Sequence, residues 1–336
     1  MPTSYVPILK CKKGEQNALS QLTPGVKVNI KPLLEIPFTD ASTKYPMNEF
    51  IQSFWSTNPF FFYFLPEWYD ESMECFAEFI SLNVESLIAN TAGTPVFDLS
   101  SLDYIEDWNS IKKNGIAIRL RNNELGEVTT ILNPLFSSGK IARKETDLIL
   151  DLQNISANDL FTTRSVLKTV LSELTNANEY HSIIIASASF PKPTPAMETD
   201  KIYCFERIEK QIHEFAIELA KDYNFNYIYS DYGTSDNEDV TFVLGMSPNF
   251  KIKYSTWEKY LYIKSYSLKK GGLDIQNVQR LTKLLVDSSY FFGAEYSWGD
   301  NSIDQIAKKQ SLSPGNLTTW VSYSMNHHIT LISKNL

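Results

Sequence analysis

Eight short apolar runs, most of them followed by a segment of helical period, organise residues 5–233 of this chain. They are YVPILK (5–10), VNIKPLLEIP (28–37), FFFYFLP (60–66), TPVFDLS (94–100), GIAIRLR (115–121), LILDL (148–152), SIIIASAS (182–189) and YIYSDYG (227–233). Continuous apolar runs of this length are what a parallel strand buried on both faces requires. Between them lie helical stripes. Met73, Phe76, Ala77, Ile80, Val84, Leu87 and Ile88 fall at helical spacing, as do Leu167, Val170, Leu171 and Leu174. Phe205, Ile208, Ile212, Phe215, Ala216 and Leu219 form another stripe, and LDYIEDWNSIKKN reads as a helix closed by Gly115.

Eight strand–helix repeats predict an α/β fold of the (β/α)8 TIM-barrel type. A doubly wound sheet would also alternate, but no Gly-x-Gly-x-x-Gly turn follows the first run. The length of 336 residues suits one barrel domain with insertions. Residues 241–266 break the rhythm with strand-like alternation around a Ser-Pro-Asn turn and predict an inserted β-hairpin or small sheet. Residues 275–336 are expected to form a C-terminal helix–strand segment, whose helix carries Val278, Leu281, Leu284 and Leu285 on one face.

Composition narrows the function classes. A formal net charge of −8 argues against an extended nucleic-acid surface, which needs many Lys and Arg contacts to phosphates. The three cysteines, Cys11, Cys75 and Cys204, are scattered and form neither a disulfide framework nor a zinc knuckle. No apolar run is long enough to span a bilayer and no signal-peptide core opens the sequence, so the expectation is a cytoplasmic protein. The nucleophile-elbow, P-loop and His-Glu-x-x-His signatures are absent from the sequence.

In a barrel of this class the site lies at the C-terminal ends of the strands. The polar residues there are Lys10, Glu35, Asp98, Arg119, Arg121, Asp151, Ser187, Ser189, Asp231 and Tyr232. A carboxylate in a buried strand must be paired or must coordinate something, because desolvating it alone costs several kcal/mol, on the order of 3–5 when its partner is removed. The functional version makes Asp151 and Asp231 general acid/base groups and uses Asp98, Asp151 and Asp231 as oxygen ligands for magnesium or manganese. Lys10, Glu35, Arg119 and Tyr232 then hold an anionic, phosphate- or carboxylate-bearing small molecule. The alternative is a structural network of salt bridges.

NHHITLI (326–332) holds two of the four histidines. As a strand it would send His327 and His328 to opposite faces, which prevents their chelating one metal. One would be a hydrogen-bonded core histidine or a group titrating near neutral pH.

YVPILKCKKGEQNALSQL, IKPLLEIP, SDYG and SWGD…TTWVSYSMNHHI, in that order, resemble the phage beta-protein family of bacteriophages and bacterial genomes. The resemblance runs from Tyr5 to about Ile329 and implies a barrel, with no established reaction to carry over. It marks Lys10, Gly14, Glu15, Pro32, Glu35, Asp231, Tyr232, Trp298, Gly299, Asp300, Trp320, His327 and His328 as a shared site or a shared structural seam. Asp300, read as an N-cap in SWGD, is then expected beside His327 or His328, adding Asp300 to the ligand-binding candidates and His327 to the catalytic ones.

Two function classes follow. One is a small-ligand binder or a divalent-cation-assisted hydrolase working at the charged mouth. The other is an interaction protein of phage–host conflict with a protein partner, docking through exposed aromatics such as Trp68, Tyr69 or Trp257.

Overall fold

The computed structural model describes residues 3–38, 46–55, 58–68, 79–102, 105, 107–174, 176–192, 197–235 and 248–336. The stretches 71–78, 103–104 and 241–247, on which parts of two expected helices and of the expected insertion fall, lie outside the described residues, as do Tyr69 and Cys75. The chain divides into two compact units: Met1–Cys11, Val28–Ser189 and Ile208–Tyr232 form one, and Lys12–Lys27, Phe190–Arg207 and Gly233–Leu336 form the other.

The first unit is a closed, all-parallel barrel. Its strands are β1 (Tyr5–Lys10), β2 (Leu33–Ile36), β3 (Phe60–Phe64), β4 (Gly93–Phe97), β5 (Ile116–Arg121), β6 (Thr146–Asn154), β7 (Ser182–Ala188) and β9 (Tyr227–Asp231), paired in that order, with β9 closing on β1. All eight apolar runs are barrel strands. The second run shortens from VNIKPLLEIP to Leu33–Ile36, because Pro32 has no N–H for the ladder. Alternate side chains fill the interior: Val6 and Ile8 from β1, Leu33 from β2, Phe61 and Tyr63 from β3, Val96, Ala117, Ile149, Ile184 and Ile228 from the rest. Among the described residues, Leu160–Glu173 and Ile208–Asp222 are the longest helices of this unit.

The second unit is built on an antiparallel sheet in the order β10 (Asn249–Ser255), β11 (Lys259–Ser267), β8 (Ile202–Glu206). The expected hairpin is therefore β10–β11, extended by a third strand. That third strand corrects the helical assignment of Phe205: the helix starts at Ile208, and Tyr203 and Phe205 share one face of β8 instead. The other face of the sheet packs Phe250, Ile252, Leu261 and Ile263 against Val278, Leu281 and Leu285 of the helix Ile275–Val286 and against Ile303, Ile306 and Trp320.

NHHITLI is not a strand. It lies within the helix Leu317–Asn335, whose Asn316 N-cap accepts from the Thr319 amide while the Thr319 hydroxyl accepts from the Asn316 amide. Residues 324–333 are buried on every side of this helix. A helix enclosed all round shows no polar face, and its β-branched residues Ile329, Thr330 and Ile332 imitate strand alternation. The helical reading also changes the histidines, which now project about 100° apart rather than from opposite faces.

Candidate functional site: the barrel mouth

Strand parity selects which polar residues enter the barrel. On β5, Ala117, Arg119 and Arg121 share the inward parity, so Arg119 follows the core and Arg121 stands one pleat nearer the C-terminal rim. Glu35 follows Leu33 on β2, Asp151 follows Ile149 on β6, and Tyr232 ends the inward row of β9. The four converge. Arg119 donates from Nε to Asp151 Oδ2 at 2.9 Å, from Nη1 to Glu35 Oε1 at 2.8 Å and from Nη2 to Tyr232 Oη at 2.9 Å. Tyr232 in turn donates to Asp151 Oδ2 at 2.7 Å, and Asp151 Oδ1 accepts from the Gln153 amide at 3.0 Å.

Arg119 is 2% exposed and Asp151 is fully buried, so these charges persist only because they neutralise each other. Burial alone would lower the Arg119 pKa, but Tyr232, Asp151 and Glu35 hold it well above the ordinary value. Burial likewise drives the Tyr232 phenol well above its usual range, which keeps it a hydrogen-bond donor.

A second group sits at the rim. Asp98 follows β4 and accepts from Tyr63 Oη at 2.6 Å, from Ser100 Oγ at 2.7 Å and from Ser101 Oγ at 3.0 Å. Arg121 reaches Asp98 Oδ2 at 3.3 Å and Tyr63 Oη at 3.2 Å. The guanidinium carbons of Arg119 and Arg121 lie 5.5 and 5.4 Å from the Tyr63 ring centroid, so one aromatic ring joins the two groups. Burial raises the Asp98 pKa, yet the hydrogen bonds from Tyr63, Ser100 and Ser101 and the Arg121 charge outweigh it and hold the carboxyl below the usual range. Lys10, half-buried at the end of β1, has Glu35 as its register partner on β2.

Asp231 does not join this cluster. It has the opposite parity to Ile228 and Tyr232, and its two oxygens accept from Tyr5 Oη at 2.5 Å and Tyr229 Oη at 2.9 Å. The carboxylates Asp98, Asp151 and Asp231 therefore occupy three separate hydrogen-bond sets, both oxygens of each already accepting. Among the described residues no three His, Cys, Asp or Glu side chains are arranged to hold a metal ion. This donor set does not fit magnesium or manganese, which need several carboxylate or carbonyl oxygens on one centre.

Asp300 and His327 belong to the second unit. His327 Nδ1 is 2.8 Å from Asp300 Oδ2 and Nε2 is 2.8 Å from the Ser255 carbonyl. Both ring nitrogens thus have an oxygen partner, which fixes the orientation of the imidazole. Tyr254 stacks on the imidazole at 3.8 Å and donates to Asp300 Oδ1 at 2.7 Å, and Phe292 and Tyr296 complete the enclosure. The expected Asp–His pair is present, but Ser297, not Asp300, caps the helix Trp298–Ala307. His328 turns elsewhere, with Nδ1 3.0 Å from Ser255 Oγ. Of the aromatic residues named for a docking patch, the two described have partners: Trp68 donates to the Ile36 carbonyl and packs on Phe64 and Phe79, and Trp257 lies beside Arg207.

The residues that sequence reasoning underweighted are Tyr63 and Arg121. Arg121 shares the parity of Arg119 two positions earlier, and that spacing is the signal that could have found it. Tyr63 sits in an unbroken aromatic run, FFFYF, where nothing sets it apart but its hydroxyl.

Among known proteins, a solved structure of triosephosphate isomerase from Bartonella henselae is similar to this chain at 9% identity, covering 69% of this chain and 94% of that one with a TM-score of 0.33. A likeness at that level carries no argument. No curated protein matches. Among the described residues no helix is long and apolar enough to cross a membrane. The Beta protein family profile matches residues 5–334, so the chain, a closed parallel barrel with a smaller antiparallel sheet, belongs to the Beta protein family.

Proposed function

We propose that the barrel mouth binds a small anionic ligand carrying a phosphate or carboxylate, with Arg121 as its principal contact. The observation that carries this reading is the contrast between the two arginines. Arg119 has all three nitrogens engaged and is buried, so it is a fixed floor. Arg121 keeps 27% of its side chain exposed and makes only long described hydrogen bonds, 3.3 Å to Asp98 and 3.2 Å to Tyr63.

A guanidinium has five donors in a planar fork that matches two oxygens of a carboxylate or phosphate. With two of them on Asp98 and Tyr63, Arg121 has Nε–H and further N–H groups to offer. Asp98 and Tyr63 orient the fork, and the Arg119 cluster fixes Tyr63 from below. Such preorganisation is what lowers the cost of ordering a ligand. Lys10 supplies a further cation at the rim. The carboxylates serve to position cations in this reading, and it includes no metal-assisted step.

The test is native mass spectrometry of gently purified protein against its denatured mass, followed by calorimetric titration with inorganic phosphate. A small copurified mass, or heat that Arg121→Met abolishes while leaving the fold intact, supports the reading. Phosphate binding of equal strength in wild type and Arg121→Met overturns Arg121 as the contact. No copurified mass and no heat overturns the site.

A further inference from the structure

We infer that Gln153 is the specificity-determining residue of the barrel mouth, where its carboxamide reads a hydroxyl on the body of a phosphate ester whose head Arg121 holds. The inference rests on the Arg121 reading proposed above. Five residues other than glycine have a positive φ among the described residues: Gln153, Asn176, Asp200, Asn224 and Lys309. Asn and Asp enter this left-handed region at little cost, and Lys309 follows the C-cap of the helix Trp298–Ala307, where such a residue commonly ends a helix. Gln153, at φ +57, instead interrupts the barrel strand β6. A long side chain in that conformation stores strain.

The interruption is a bulge. Asp151 pairs with Ala186 and Asn154 with Ala188, so three steps along β6 answer two along β7 and one residue is extra. Leaving the ladder, the Gln153 amide donates to Asp151 Oδ1 at 3.0 Å, and pairing resumes where the Ile155 amide donates to the Ala188 carbonyl at 2.8 Å. A glycine would supply the same amide without the strain. The Gln153 side chain is half-buried, and among the described residues nothing hydrogen-bonds its carboxamide. The fold thus uses the amide of this residue and leaves its carboxamide over, at the rim of a barrel, where bulges recur beside binding sites and re-aim side chains. Asp151 is the register partner of Arg121, so Gln153 stands two residues further toward the rim on the neighbouring strand, roughly 8 Å from Arg121 by strand spacing and rise. Both side chains are long enough to meet on one small ligand. A carboxamide donates and accepts, as a hydroxyl does, whereas a second anionic group would call for a cation in its place.

Inorganic phosphate and glycerol phosphate are titrated calorimetrically into wild type, Gln153→Gly and Arg121→Met. Wild type is expected to bind glycerol phosphate about fivefold more tightly than phosphate, the effect of one added hydrogen bond, and Gln153→Gly to lose that advantage while keeping its phosphate affinity. Unliganded Gln153→Gly is expected to melt at or above wild type, because glycine keeps the amide and relieves the strain. Glycerol phosphate that wild type binds no more tightly than phosphate, or that Gln153→Gly favours as strongly as wild type does, overturns the inference and leaves the Arg121 reading standing. So does an equal loss of affinity for both compounds in Gln153→Gly, or a melting temperature below wild type, since either would assign the side chain to the fold. No heat from either compound in wild type, or heat undiminished in Arg121→Met, overturns the Arg121 reading and this inference with it.

Discussion

Arg119 and Arg121 differ by two positions and by one pleat, and that step decides what each can do. Replacing Arg119 by Met would strand Glu35 and Asp151, one 8% exposed and the other fully buried, without their cation. Removing one partner of such a group costs about 3–5 kcal/mol. The urea midpoint of Arg119→Met should fall accordingly, while Arg121→Met, whose partner Asp98 retains Tyr63, Ser100 and Ser101 as donors, should lose about 1 kcal/mol or less. Equal losses in the two variants would refute the assignment of floor and rim. The sequence allowed Glu35, Arg119, Asp151 and Tyr232 to be named together, because charged residues in buried strands need partners. It could not exclude Asp231, since YIYSDYG does not reveal which of Asp231 and Tyr232 shares the inward parity. That depends on the register of β9 against β7 and β1, a tertiary fact.

Helices of the second unit meet at Gly299 and Asn326. The Gly299 amide donates to Asn326 Oδ1 at 3.1 Å, and Asn326 Nδ2 donates to the Ala18 carbonyl at 2.9 Å, so one amide side chain ties Trp298–Ala307 and Lys13–Ser20 to the C-terminal helix. A Cβ on Gly299 would collide with the backbone carbonyl of Tyr323, which cannot rotate away. Gly299→Ala should therefore destabilise by about 1–3 kcal/mol despite its better helix propensity. Gly126→Ala, with nothing within 4 Å of the new methyl, is the control expected to be near neutral. Thermal melts of the two variants check this, and a neutral Gly299→Ala would mean the helices can separate. The barrel strands were legible because buried parallel strands leave continuous apolar runs, each bounded by a turn. The C-terminal helix was not, because Asn326, His327 and His328 are buried polar residues whose partners, Ala18, Asp300 and Ser255, lie far away in sequence. The start signal was present in Ser313-Pro314-Gly315-Asn316, with Gly315 at φ +67 and Asn316 as the cap.

Acidification should act on the whole chain, since each compact unit holds an aspartate with a depressed pKa. In the barrel it is Asp98. In the second unit it is Asp300, where burial raises the pKa but the His327 charge and the hydrogen bonds from His327, Ser297 and Tyr254 outweigh it. A carboxyl whose folded pKa lies below its unfolded value of about 3.9 binds its proton more readily unfolded. Its stabilisation is thus complete above about pH 4 to 5 and is lost as pH falls through the folded value. His181 has the opposite sign. The hydrogen bond to Asp147 raises its pKa, against a smaller opposing effect of burial, so its contribution is present below about pH 6.5 and disappears as pH rises through the folded value. With 64% of its side chain exposed, that contribution is small. Urea denaturation across pH should show a steep acid limb below about pH 4 and only a slight decline above neutrality. Asp300→Asn should flatten the second unit's part of the acid limb and lower stability at neutral pH, because the buried His327, Tyr254 and Ser297 would lose their shared carboxylate partner. His181→Asn should remove only the slight decline. A midpoint in Asp300→Asn that equals wild type at pH 7 would show that the buried pair contributes nothing there, and would leave His327 without a reason to be held between two acceptors.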